Sequence, residues 1–286
     1  MMRYLITGAS GMLGRDLQNV LGGREVTALG RADLDVTDRD AVISAVAGHS
    51  VVINTAAYTK VDDAESHEAE AYAVNALGVQ NLAVAARENG ARLVTISTDY
   101  VFDGQADEPY AEDAPRDPIN AYGRTKAAGE ESALAEHPSG TMIVRTAWLY
   151  GEHGPNFVKT MLRLAQGNET VTVVDDQLGQ PTWTGDLARQ IVAMLDADVQ
   201  SGLFHGTNSG QTTWFGFARA VFAAAGLDPD RVLPTTGAEF ARPAPRPTYS
   251  VLGHDAWARA GLKPMRDWRE ALRQAAPRII ESARGA

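Results

Sequence analysis

Over the first 150 or so residues, short runs rich in Val, Ile and Leu alternate with longer Ala-rich stretches whose apolar positions recur at helical spacing. That alternation is the pattern of βαβ units and predicts an α/β fold, a doubly wound parallel sheet covered on both faces. Strands are predicted at Tyr4–Thr7, Val26–Leu29, Val51–Asn54, Leu93–Ser97 and Met142–Arg145. Helices are predicted to start near Met12, Asp38, Ala64 and Ala121, the third running through Ala71 to Asn75 and on to Glu88, with Asn89-Gly90 as its stop. After Tyr150 the rhythm changes. Asp175–Thr184 and the Pro-rich run Arg242–Pro247 read as irregular, because such runs cannot form interior sheet or helix.

Composition narrows what this fold can do. With 286 residues, 44% of them hydrophobic, the chain can bury a large core unaided. Its formal charge of -10 comes from acids spread along the chain, which argues against a nucleic-acid partner. Cysteine is absent, so disulfides, thiolate zinc sites and a cysteine nucleophile are excluded. The run Met1–Gly8 is too short for a signal peptide, and no apolar stretch reaches spanning length, so no membrane partner and a cytoplasmic location are expected. The six histidines show no paired ligand spacing, and Asp62-Asp63 and Asp175-Asp176 read as solvated loops. No metal is expected.

Gly8-Ala9-Ser10-Gly11-Met12-Leu13-Gly14 follows the first predicted strand directly and opens a helix, so its backbone N–H groups can face a pyrophosphate. Gly8 permits the tight turn, Gly11 lets a phosphate approach, and Gly14 lets the helix lie close to the strand. Residues 1–150 are therefore expected to form an NAD(P)-binding Rossmann-like domain. Residues 151–286 are expected to be mainly a smaller substrate-binding lobe, interleaved with the end of the sheet. Where an NAD site carries an acid after its second strand, this chain reads Leu29-Gly30-Arg31. A guanidinium can pair with a 2′-phosphate, so NADPH is the expected cofactor, with NADH the alternative.

Tyr122-Gly123-Arg124-Thr125-Lys126 puts a phenol and an ammonium one helical turn apart on one face. Eight tyrosines and four lysines in the chain make such a pair about a one-in-ten coincidence. A neighbouring cation favours the ionised phenol and would bring its pKa toward the working range for acid–base chemistry. Upstream, the strand Leu93–Ile96 ends in Ser97-Thr98-Asp99-Tyr100. Ligands of open parallel sheets bind outside the strands' carboxyl ends, which places Thr98 to hydrogen-bond a substrate oxygen.

Five segments together resemble the dTDP-4-dehydrorhamnose reductase family of extended short-chain dehydrogenases: Ser97–Gly104, Tyr122–Glu130, Arg145–Gly151, Asp175–Thr182, and Arg242–Pro247 followed by Tyr249–Leu252. All five occur in order and span essentially the whole chain. The resemblance implies hydride transfer from a reduced nicotinamide to C4 of dTDP-4-dehydro-L-rhamnose, giving dTDP-L-rhamnose. It implies Tyr122 as proton donor, Lys126 on the nicotinamide ribose, and Thr98 on the keto oxygen. Asp35-Val36 resembles the family's adenine-contacting pair, and Ala56-Ala57-Tyr58 lies in a loop similar to the one beneath the cofactor. Trp148 resembles its sugar-facing aromatic. Asp99, Tyr100, Asn156, Gln177, Gln180 and Arg242 are further expected contacts to the dTDP-sugar, in a monomer or homodimer.

Related readings compete with this one. Sugar-nucleotide dehydratases are similar but place an Asp-Glu pair after the threonine, whereas here Asp99 is followed by Tyr100. Reductases of other dTDP-4-keto sugars, of the dihydrostreptose synthase type, share the same motifs. The non-catalytic, NADP-binding regulatory subunit of methionine adenosyltransferase is similar in fold. A purely structural role does not require the set Thr98, Tyr122 and Lys126.

Overall fold

The structure is a computed structural model and describes residues 2–284. Strands β1 (Arg3–Thr7), β2 (Glu25–Leu29), β3 (Val51–Asn54), β4 (Arg92–Thr98) and β5 (Thr141–Thr146) alternate with helices α1 (Met12–Val20), α2 (Arg39–Val46), α3 (Val61–Ala64), α4 (Glu68–Tyr72), α5 (Gly78–Glu88) and α6 (Ala121–Glu136). The second half adds short strands β6 (Leu149–Tyr150), β7 (Val171–Val174), β8 (Leu178–Gly179) and β9 (Thr182–Trp183). Beyond them come β10 (Gly202–His205), β11 (Thr212–Thr213) and β12 (Val232–Thr235). Its helices are α7 (Phe157–Gly167), α8 (Thr184–Asp196), α9 (Trp214–Ala224), α10 (Asp255–Arg259) and α11 (Trp268–Arg284).

The main sheet has six strands in the order β10-β5-β4-β3-β1-β2, all parallel. This is the Rossmann-like doubly wound arrangement. Its order reverses between β1 and β3, which opens a crevice at the carboxyl ends of those strands. Every residue of β3 and β5 is buried, as strands covered on both faces must be. On one face Leu13, Leu17, Ile191 and Trp257 pack from α1, α8 and α10. On the other, Val42, Leu82 and Ala83 pack from α2 and α5. A separate cluster around Phe217, Trp268 and Val158 holds the second half together.

Two expectations need revising. The helix expected to begin near Ala64 and run unbroken to Glu88 starts earlier and is interrupted. A break after Ala64 is followed by α4, a single π-helical turn at Ala73–Leu77, and α5. The wide turn accompanies Asn75, whose amide leaves the helix to donate to Tyr58 O (3.1 Å) and Thr125 Oγ1 (3.1 Å), and accepts from Tyr58 N (2.9 Å). Asp175–Thr184 is not wholly irregular either. Leu178-Gly179 pairs antiparallel with Thr212-Thr213, and Thr182-Trp183 pairs parallel with Leu149-Tyr150, leaving Pro181 between the two ladders.

Candidate active site

A groove of about 970 Å³ runs along the carboxyl ends of the main-sheet strands, near the upper end of the roughly 300–1,000 Å³ typical of small-molecule sites. It begins at the glycine turn, where Gly8, Ser10, Gly11, Met12, Leu13 and Gly14 all line it. Gly8 takes a left-handed backbone (φ 67°), and a Cβ there would lie 2.5 Å from Ala56 N. Only glycine lets β1 turn there while the loop after β3 passes so close. No side chain caps the N-terminus of α1, so its first N–H groups remain available to an anion.

Farther along that wall lie Arg31, Asp35, Val36, Ala56, Ala57 and Tyr58. Asp35 Oδ1 accepts from the backbone N–H and the hydroxyl of Thr37 (2.9 and 2.8 Å), which holds its carboxyl below the usual range. The Tyr58 hydroxyl donates to Asp63, and that bond pushes the phenol up to about 12.

The opposite end of the groove collects Thr98, Asp99, Tyr100, Tyr122, Lys126 and Trp148. The Asn120 side chain caps α6 by accepting from Gly123 N (2.7 Å), which starts the helix one residue before Tyr122. The Tyr122 ring meets Tyr100 edge-on at 6.0 Å. One turn on, buried Lys126 donates from Nζ to Ile96 O on β4 (2.6 Å). Thr98 accepts from Tyr100 N (3.2 Å) and donates to Asp99 Oδ1 (2.9 Å).

The electrostatics differ from the expectation that Lys126 lowers the Tyr122 pKa. Burial pushes the phenol up, and the Asp99 charge adds to it, while Thr98 offsets a little. The ammonium is engaged at Ile96, and burial drives it down to about 8. Asp99 is pushed up to about 6 by burial. Tyr122 is thus held in its neutral, proton-bearing form at physiological pH.

Four expected contacts lie outside the groove lining, and three of them, Asn156, Gln180 and Arg242, have their side chains in use elsewhere. Asn156 caps α7: its Oδ1 accepts from Lys159 N (3.2 Å), and its Nδ2 donates to Gly151 O (2.9 Å). Gln180 is buried, donates to Leu252 O (3.2 Å), and accepts from Leu252 N (2.9 Å) and Thr207 Oγ1 (2.8 Å). Arg242 pairs with Asp62 at 3.2 Å and lies over Phe240. Gln177 is half-buried beside Gly237. Arg145 and Glu130, which belong to two of the resemblance motifs, form a buried pair at 2.7 Å rather than joining the groove.

Sequence reasoning missed Trp214 and Thr146, both in the lining. Thr213 caps α9 by accepting from Gly216 N (3.0 Å), and this Thr-before-helix signature could have placed Trp214 at a helix start. Nothing local marks Thr146. It lies opposite Thr98 across the β4–β5 ladder. Its Oγ1 and Ser97 Oγ are buried without a protein partner. Such orphaned polar atoms at the groove floor suit a bound polar group, and with the open α1 terminus they fit a nicotinamide dinucleotide.

Comparison with known proteins settles the kinship. The family described as "RmlD substrate binding domain" matches residues 2–280. The chain belongs to the dTDP-4-dehydrorhamnose reductase family. A Streptomyces griseus dTDP-4-dehydrorhamnose reductase is 53% identical over 98% of this chain and 95% of its own. A Streptomyces niveus dTDP-4-keto-6-deoxy-D-glucose reductase is also 53% identical, over 96% of each chain. The crystal structure of a Bacillus anthracis dTDP-4-dehydrorhamnose reductase in complex with NADP superposes with a TM-score of 0.92 at 40% identity. It covers 96% of this chain and 99% of that one. Family membership makes the chain an NAD(P)H-dependent oxidoreductase.

Proposed function

We propose that this reductase converts dTDP-4-dehydro-L-rhamnose to dTDP-L-rhamnose at the expense of NADPH. The observation that carries the reading is one groove that starts at an anion-binding glycine turn and ends at Thr98, Tyr122 and Lys126.

Bound NADPH would supply the hydride that reduces C4 of the sugar. Gly11, Met12 and the open end of α1 would hold the pyrophosphate, Arg31 the 2′-phosphate, and Asp35 and Val36 the adenine side. The loop at Ala56, Ala57 and Tyr58 would lie beneath the dinucleotide, with Ser97 and Thr146 offering hydroxyls from the floor. The Thr98 hydroxyl would turn from Asp99 toward the keto oxygen as charge develops there. Tyr122 would then pass its phenolic proton to that oxygen, and its raised pKa keeps the proton in place until the alkoxide forms. Lys126 would bind the ribose hydroxyls, after which its charge would favour the phenolate left behind. Asp99, Tyr100 and Trp148 would line the sugar subsite, and residues 151–286 would supply mainly the substrate lobe.

The Streptomyces niveus relative is as similar as the Streptomyces griseus one, so a second reading is kept: reduction of another dTDP-4-keto-6-deoxy sugar through the same residues. An assay of NADPH and NADH consumption with dTDP-4-dehydro-L-rhamnose, dTDP-4-keto-6-deoxy-D-glucose and a dihydrostreptose precursor separates the two. The first reading requires the highest kcat/KM on the rhamnose precursor with NADPH. A higher value on either other sugar favours the second, and no turnover on any of them refutes both.

A further inference from the structure

Trp148 is one of only two non-glycine residues with a left-handed backbone among those described (φ 47°). A bulky side chain keeps that conformation only where its surroundings over-determine it. Two neighbours do so here. The Trp148 indole lies flat on that of Trp214, with centroids 3.7 Å apart and planes 12° from parallel. Along another edge, a Cβ on Gly179 would come within 2.6 Å of Trp148 Cζ2, so glycine alone leaves the ring its room.

Both neighbours are carried by the same ribbon. Thr212 pairs with Gly179 across the β8–β11 ladder, and Thr213 caps the helix that Trp214 begins. The Thr213 hydroxyl is itself tied to Asp175 Oδ1 at 2.5 Å. Phe157 braces Trp214 from a further side, centroid to centroid 4.6 Å.

Purely structural aromatics of this lobe, such as Phe217 and Trp268, are fully buried. Trp148 and Trp214 instead stay partly exposed, and both line the groove. A stacked pair of indoles offers a flat, apolar wall. The C–H face and methyl group of a 6-deoxy sugar can pack on it, whereas a 6-hydroxyl would be stranded there without a partner.

On the reading that this groove holds a keto-deoxysugar nucleotide, we propose that Trp214 is a positioning residue for sugar recognition. Backed by the β8–β11 ribbon, it holds Trp148 in its left-handed setting and so presets the wall that receives the sugar. Without it, the Trp148 backbone is free to relax to an ordinary conformation, and the ring leaves its place. The cofactor end of the groove is untouched.

The test uses the full chain with Trp214→Ala, Trp214→Phe and Trp148→Phe. Trp214→Ala is expected to raise KM for the keto-sugar nucleotide about tenfold, with kcat changed less and the NADPH dissociation constant unchanged. Trp214→Phe keeps a flat ring behind Trp148 and should stay within about threefold of wild type. Stacked indoles also give an exciton couplet in circular dichroism. It should vanish in Trp214→Ala and Trp148→Phe, and shift when the sugar nucleotide binds the wild type.

A wild-type KM in Trp214→Ala despite loss of the couplet overturns the proposal, as does an equal loss of NADPH affinity. If Trp214→Ala does not fold, Trp214→Leu, which keeps bulk but no flat ring, decides: a tenfold KM rise with the couplet gone supports the role, and a wild-type KM refutes it. Absence of wild-type turnover on every keto sugar tried defeats the underlying reading and this inference with it. Normal wild-type turnover with an unmoved KM defeats this inference alone.

Discussion

The Thr98 hydroxyl donates to the Asp99 carboxylate at 2.9 Å, and Asp99 is buried with its other oxygen unpartnered. The hydroxyl assigned to the keto oxygen is therefore held by a carboxylate whose charge is disfavoured by burial. Burial raises the Asp99 pKa from 3.8 to about 6, so the folded state keeps a proton the unfolded chain would release. That contribution to stability is fully present below about pH 4 and is lost as pH rises through about 6. Asp99→Asn removes the penalty at neutral pH. It should be more stable than wild type by about 2–3 kcal/mol near pH 8, with little difference near pH 4, as read from urea unfolding at both.

Tyr122→Phe should cut turnover by about 10²–10⁴-fold, the usual size of a lost general acid, while NADPH binding measured by fluorescence persists. Undiminished NADPH oxidation in this variant would remove Tyr122 from the mechanism.

Lys126 is pushed down to about 8 by burial. Its ammonium, and with it the grip on the cofactor ribose, should fade as pH rises through that value. NADPH affinity in the wild type should therefore weaken between about pH 7 and 9, and Lys126→Met should bind more weakly with a flat profile. A wild-type profile equally flat over that range would contradict the assignment.

Arg31 is exposed at the groove edge, where the proposed pairing with a 2′-phosphate would be partly screened by water. Arg31→Ala should reduce the NADPH-over-NADH preference in kcat/KM by roughly tenfold and leave NADH kinetics near wild type. An unchanged ratio points to another 2′-phosphate ligand.

A Cβ at Gly123 would sit 2.1 Å from Tyr100 O. Gly123→Ala must push α6 away from the strand end that bears Thr98. A stability loss of about 1–3 kcal/mol is expected, together with a fall in kcat larger than the rise in KM, because the Tyr122–Thr98 geometry is what shifts.

Local chemistry was legible in the sequence. The glycine turn and the Tyr122–Lys126 spacing each lie within one short segment, where chain geometry alone decides what faces what. Features built by contact between distant segments were not. Trp214 reaches the groove because α9 begins beside Gly179, a relationship no single window holds. The capping by Asn156 and the bracing by Gln180 were not legible either, because an amide serves equally as ligand, cap or brace and only its partners tell which. The fully buried β5 and the open α1 terminus were foreseeable, whereas the π turn at Asn75 was not, since it answers to Tyr58 and Thr125 rather than to its own neighbours.

The sixth strand, β10, comes from beyond residue 200 yet closes the flank of β5, whose every residue is buried. During synthesis on the ribosome, the nascent N-terminal half would wait with that flank bare until the later segment emerges. A fragment ending near residue 150 would expose a sticky apolar edge and tend to self-associate. Shuffling of such halves between genes would therefore have to carry Gly202–His205 along with the first half.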